Sequence, residues 1–178
     1  MRSFTIAAAA TLISSVYASP WTMGGLWGGK FDPSKCLTQP SVETLVDGFG
    51  QLISNYTTAL AEKILADNFT DYSDSINSLI GQPVGGATFP SKAAFEAGQG
   101  SQPAVPFQLL AIEAYNCDTI SLRWIVGLPP QPVKGITVLK ASNSQGQKDT
   151  WQISTIYTEF NSIAWLEDIG GNVTYPSH

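Results

Sequence analysis

The sequence predicts an α+β domain: three N-terminal helices packed on a strongly curved antiparallel β-sheet. Three observations lead there. Val42, Leu45, Val46, Phe49, Leu52, Ile53 and Tyr56 recur at spacings of three and four, the apolar stripe of an amphipathic helix. After Pro106 the pattern changes to runs rich in β-branched and aromatic residues, the mark of strands. The 178 residues are 43% hydrophobic and only 13% charged, enough for one core and too apolar for a disordered chain.

The elements follow in order. Arg2 and the apolar stretch Phe4 to Val16 read as a secretory signal peptide over residues 1–18, cut after Ala18. The stretch is shorter than the roughly 20 apolar residues that span a bilayer, so a secreted product without a membrane segment is expected. Residues 19–35 form a Gly- and Trp-rich leader, whose Trp21 and Trp27 suit an adhesive or interface segment. The domain proper is placed at 36–170, with a tail at 171–178. Helix one starts at Ser41 as N-cap, with Glu43 in its first turn. Helix two runs from Thr58 to Phe69, turning Leu60, Ile64, Leu65 and Phe69 inward. Asp71 to Asp74 is a polar exit. Residues 75–89, with Gly81, Pro83, Gly85 and Gly86, suit a short strand and a loop. Ser91 caps a third helix over Lys92 to Ala97. Strands are expected over 107–116, 119–127, 133–142, 151–160 and 162–167, and helices must cover one face of the sheet.

Composition narrows function by exclusion. Net charge is −5, with no cluster of the nine Lys and Arg residues, so nucleic acid is disfavoured as a partner. The one histidine is the terminal His178, which removes His-based triads and His-based metal sites. No metal or cofactor is expected. The two cysteines, Cys36 and Cys117, are an even pair in an oxidising compartment and read as a disulfide. It would close a loop of about 80 residues, worth roughly 4 kcal/mol in the chain-entropy model. Sequons at Asn55, Asn68 and Asn172 are candidate glycosylation sites.

Two clusters carry candidate chemistry. Asp71, Tyr72 and Asp74 follow helix two; a carboxylate there, if enclosed by apolar side chains, has its pKa raised and can act as a base. Period-two alternation puts Glu113 with Tyr115, and Tyr157 with Glu159, each on one strand face. Either acid is a partner for Arg123, the only arginine after the signal segment. Trp124, Trp151 and Trp165, placed on strands, are candidates to line a pocket for a flat apolar ligand.

The order of elements, with the stretch Val42 to Asp74 and the run Trp151 to Asn161 followed by Ile163 to Leu166, resembles the nuclear transport factor 2-like superfamily. The likeness covers about Cys36 to Gly170 and is strongest to the small secreted fungal members. It implies a cone-shaped domain, the fold of ketosteroid isomerase and SnoaL-like polyketide cyclases. The isomerase pattern implies a base carboxylate after helix two, where Asp71 or Asp74 stands. It implies a Tyr in helix one and a protonated Asp on a late strand, where this chain has Phe49 and Ile156. The resemblance leaves three functions open. The first is a secreted module that binds a small apolar molecule or pairs with itself through the sheet. The second is an isomerase- or cyclase-type enzyme acting on a polyketide-like metabolite, with Asp71, Asp74, Glu113 or Glu159 as its acid. The third is a secreted effector.

Overall fold

The computed structural model describes residues 35–147 and 150–174. The signal segment, Trp21 and Trp27 of the leader, and the last four residues of the tail lie outside them. Helix α1 spans Gln39–Ser54 and α2 spans Thr58–Ile64. Strand β1 (Leu65–Tyr72) follows directly, then α3 (Asp74–Ile80) and α4 (Lys92–Gln99). Strands β2 (Phe107–Tyr115), β3 (Thr119–Val126), β4 (Val133–Ser142) and β5 (Gln152–Phe160) form a meander, and α5 (Ser162–Asp168) closes the domain. The sheet order is β1-β5-β4-β3-β2. Register shifts interrupt the β2–β3 and β4–β5 ladders, and such bulges bend a sheet.

The α+β class holds, and four elements differ from expectation. Helix α1 begins three residues early because Thr38 and not Ser41 is the cap, its hydroxyl accepting from the Ser41 amide and bonding the Ser41 hydroxyl at 2.9 Å. Helix α2 ends at Ile64, and residues 65–72 are a strand parallel to β5, so the sheet is mixed. Leu60, Ile64 and Leu65 have helical spacing, but β5 supplies a competing partner. The Gln152 amide donates to the carbonyls of Lys63 (3.2 Å) and Leu65 (3.1 Å), satisfying acceptors that a helix end leaves orphaned. Residues 74–80 form a helix where a strand was expected, because the Ser73 hydroxyl accepts from the Ile76 amide as an N-cap. Residues 162–168 are also helical, capped by Asn161 in the same way. Trp165 therefore sits on α5 and not on a strand.

The helices cover one face of the sheet. Val42, Leu45, Val46, Phe49 and Leu52 of α1 are buried against it. Gly48 lets α2 approach α1 closely: a Cβ there would lie 2.8 Å from Ile64 Cδ1. Five rings in succession fill the interior between α1 and α5. Phe49 meets Phe107 edge-on at 5.8 Å, Phe107 meets Trp124 at 5.7 Å, Trp124 meets Phe160 at 6.0 Å, and Phe160 meets Trp165 at 5.2 Å. Gly135 makes room for the central ring, since a Cβ there would lie 2.2 Å from Trp124 Cζ2. A disulfide joins Cys36 and Cys117, 81 positions apart, and ties the entry to α1 to the start of β3. Beside it the Leu37 amide donates to the Cys117 carbonyl at 3.0 Å.

Candidate functional site

The four expected acids occupy four different environments. Asp71 lies near the end of β1, opposite Ile156 of β5, and is only 4% exposed. Its Oδ1 has no hydrogen-bond partner. Burial, with a further contribution from the negative charge of Glu159, raises its pKa from the ordinary carboxylate value to about 7. Asp71 also stands at the neck of a chain excursion. Its amide donates to the Phe89 carbonyl at 2.9 Å, and its carbonyl accepts from the Thr88 amide at 2.8 Å. Two positions on, the Ser73 amide donates to the Thr88 hydroxyl at 2.9 Å. Residues 73–88, with α3 among them, thus leave β1 and return to it.

Glu159 anchors that excursion. Its carboxylate accepts from the amides of Asp74 (2.8 Å) and Ser75 (2.9 Å) and from the Ser75 hydroxyl. These are orphan donors at the first turn of α3, where a negative charge also suits the helix dipole. Asp74 is exposed and accepts from the Gly85 amide at 2.6 Å. It shapes the loop and does not enter the interior. Glu113 is exposed and ion-paired with Arg123. Of the four, only Asp71 is enclosed as a base would need to be.

The outer face of the sheet collects most of the remaining candidates. Arg123, Ile136 and Glu159 are register neighbours across β3, β4 and β5. Alternation sends Leu122 and Trp124 inward and Arg123 outward, so Arg123 and its partner Glu113 lie on the face away from the helices. Register shifts in β2 break strict alternation, so Glu113, Ala114 and Tyr115 are all exposed. Tyr72 stacks on Tyr157, its register partner, at 5.2 Å and 16°. A groove of about 420 Å³ opens on this face, walled by Leu110, Arg123, Lys134, Ile136 and Glu159. It runs along the neighbouring register row Trp124–Gly135–Phe160. Ile136 is 56% exposed, Tyr157 47% and Leu110 42%.

Trp124 and Trp165, expected to line a ligand pocket, belong with Phe49 to the chain of rings that fills the interior. Trp124 is 2% exposed, and its indole N–H donates to the Thr137 hydroxyl at 2.9 Å. Thr137 in turn bonds the Thr158 hydroxyl at 2.8 Å, so these three polar side chains are paired with one another. Trp151 is half-buried at the other end of the sheet, beside a second cavity. Asn55, Asn68 and Asn172 are all exposed. Ser73, Ser75, Thr88, Thr137 and Thr158 escaped the sequence reading. Ser73 and Ser75 had a usable signal, a capping Ser before the apolar residues 76, 79 and 80.

Among the described residues no group of three or more His, Cys, Asp or Glu is placed to hold a metal. None of their helices is long and apolar enough to cross a membrane.

A model of the NTF2-like domain matches residues 35–172. The chain belongs to the NTF2-like family. Nuclear transport factor 2 from Cryptosporidium parvum superposes with a TM-score of 0.51 at 13% identity, covering 67% of this chain and 90% of its own. IdmH from Streptomyces antibioticus, a candidate polyketide cyclase, reaches 0.52 at 12% identity, over 72% of this chain and 98% of its own. A de novo designed protein with a curved β-sheet reaches 0.50 at 6% identity, over 75% of this chain and 93% of its own. At such identities the likeness is one of fold, and function rests on the site. No curated protein matches the sequence. In the NTF2-like frame, Asp71 stands after the second helix and the groove lies on the side of the sheet that the helices leave open.

Proposed function

We propose that this NTF2-like chain is a secreted module that acts by binding through the outer face of its sheet, with a second copy of itself as first partner. One contrast carries the reading: the interior is filled by the rings from Phe49 to Trp165, while Leu110 and Ile136 stand exposed at an open groove and Tyr157 is exposed on the same face. The face carries both signs of charge, Arg123 and Lys134 beside Glu113 and Glu159. A two-fold pairing can set each sign against its opposite. A small apolar molecule would enter the groove and not the cone. The disulfide is compatible with an extracellular protein. Light scattering during gel filtration tests the pairing: the wild type elutes as a dimer and Ile136→Asp as a monomer. A monomeric wild type at about 100 μM, far above the Kd of a stable dimer, defeats it. Secretion is tested by endoglycosidase treatment of native material, which should sharpen and speed the band on a gel.

A second reading has its own support in Asp71. A buried carboxyl with an unpartnered oxygen and a pKa near 7 is suited to proton transfer at neutral pH. That reading makes the chain an isomerase- or cyclase-type enzyme for a polyketide-like substrate, reached when residues 73–88 move aside. Deuterium exchange at the acidic carbon of a 1,3-diketone probe, followed by NMR, separates the two. Exchange that is catalysed by the wild type and lost in Asp71→Asn favours the enzyme.

A further inference from the structure

The end of the sheet away from the groove holds a cavity of about 590 Å³. This lies within the size range of small-molecule sites. Three features distinguish it from a surface dent.

Its floor is fixed. The disulfide Cys36–Cys117 borders it, the Leu37 amide bonds the Cys117 carbonyl, and the Ala141 amide bonds the Asp118 carbonyl at 2.7 Å. Three segments distant in sequence are thereby locked together, so the cavity is formed before any ligand arrives.

Its wall is a loop organised from within. The Asn143 carboxamide accepts from the Gly146 amide (2.8 Å) and the Thr150 hydroxyl (2.8 Å), and it donates to the Gln147 carbonyl (2.6 Å). Asn143 is thus spent on holding the loop. The hydroxyl of Ser144 and the carboxamides of Gln145 and Gln147 border the cavity and take no part in that network.

The third feature is Trp151, half-buried, which packs against the core and also borders the cavity. Among the described residues two charged ones border the space, Lys35 and Asp118, and they are opposite in sign. Asp118 already faces Lys140 at 3.8 Å.

A site whose described charges balance, with several uncommitted amide and hydroxyl groups and one indole, suits a ligand that is neutral, rich in hydroxyls and apolar on one face. A sugar ring meets all three conditions, because its axial C–H bonds make one face apolar while its rim carries donors and acceptors. We propose that this cavity binds a neutral oligosaccharide, stacked on Trp151 and hydrogen-bonded by Ser144, Gln145 and Gln147. The inference does not depend on the sheet-face reading, since the groove and this cavity share no residue.

Isothermal titration of the secreted full chain tests it. Three soluble probes are used: chitotetraose, cellotetraose and laminaritetraose, which separate acetamido sugars from plain glucans of two linkages. At least one is expected to bind. The exposed double variant Gln145→Ala/Gln147→Ala should weaken that binding tenfold or more with an unchanged circular-dichroism spectrum and Tm. Trp151→Ala should abolish binding, and Trp151→Phe, which keeps an aromatic face and the core contact, should restore part of it. No heat with all three probes at about 1 mM, the weak end of useful affinity, overturns the proposal. An affinity unmoved by the double variant overturns it equally.

Discussion

The two faces of one strand make the sharpest comparison in the molecule. On β4, Val133, Gly135, Thr137, Leu139 and Ala141 point to the helices and are buried, while Lys134 and Ile136 point away and are exposed. On β3, Ile120, Leu122, Trp124 and Val126 are buried and Arg123 is exposed. The backbone is shared, so the difference comes only from what covers each face. Inside, aromatic side chains fill the space, and the hydroxyls of Thr137 and Thr158 bond each other. Outside, an apolar residue at the centre of the sheet is left with no helix over it. The same residue types thus serve stability on one face and are available for contact on the other.

This contrast can be broken or sharpened by substitution. The largest effect is expected at Trp124. Trp124→Ala removes a buried ring from the middle of the aromatic row and strips Thr137 of a donor, and should cost about 3–5 kcal/mol in chemical denaturation. A loss below about 1 kcal/mol would mean that the interior is not the tightly filled one described. Next comes Asp71. Its pKa is raised on folding, so the folded state holds the proton more tightly than the unfolded one. The contribution is fully present below about pH 4 and is lost as pH rises through 7. Its size is at most about 4 kcal/mol at 1.36 kcal/mol per pKa unit. Tm measured from pH 4 to pH 8 should therefore fall more steeply in the wild type than in Asp71→Asn, and parallel curves would deny the burial of the charge.

A smaller effect is expected at the junction of the two faces. Glu159→Gln weakens the cap on α3 and should cost about 1 kcal/mol. It also removes the negative charge that helps keep Asp71 protonated, so the Asp71 carboxyl should titrate at lower pH by NMR. The smallest effect belongs to the open face. Ile136→Asp should alter monomer stability by no more than about 0.5 kcal/mol in urea titration, because no helix packs on it. A loss as large as that at Trp124 would show that the outer face is a core in disguise.

The sequence carried the fold class because its strongest signals are periodic. The stripe of α1 and the alternation of β3 and β4 can be read without knowing their neighbours. It failed at 65–72, 74–80 and 162–168, and in each case the outcome depends on a distant residue or a short cap. Leu65 to Tyr72 is a strand because Gln152 and the rest of β5 come to meet it. The α3 segment is a helix because Ser73 caps it and Glu159, 85 positions from Asp74, accepts its first amides. In the sequence Asp71 and Asp74 carry the same signal, an acid after helix two. Only the fold tells Asp71 from Asp74, three positions away: one side chain is enclosed beside Ile156 and the other holds a loop in water. The cavity beside Trp151 was invisible because its walls come from the entry to α1, the β2–β3 turn and the loop before β5.

The parallel pairing of β1 with β5 has a consequence for how the chain is made. Antiparallel neighbours can pair as soon as their turn has emerged. Leu65 must wait for Ile153, its register partner. At synthesis rates of about 5–20 residues per second, the first strand of the sheet spends roughly 4–18 seconds without its ladder. An unpaired strand edge is a template for another chain. Asn68 lies in the irregular stretch of β1 between Leu65 and Thr70, exposed, and is the asparagine of a sequon. A glycan attached there during translocation would stand on the waiting strand before β5 exists. It would act first as a guard for the nascent chain and only afterwards as a decoration of the finished one.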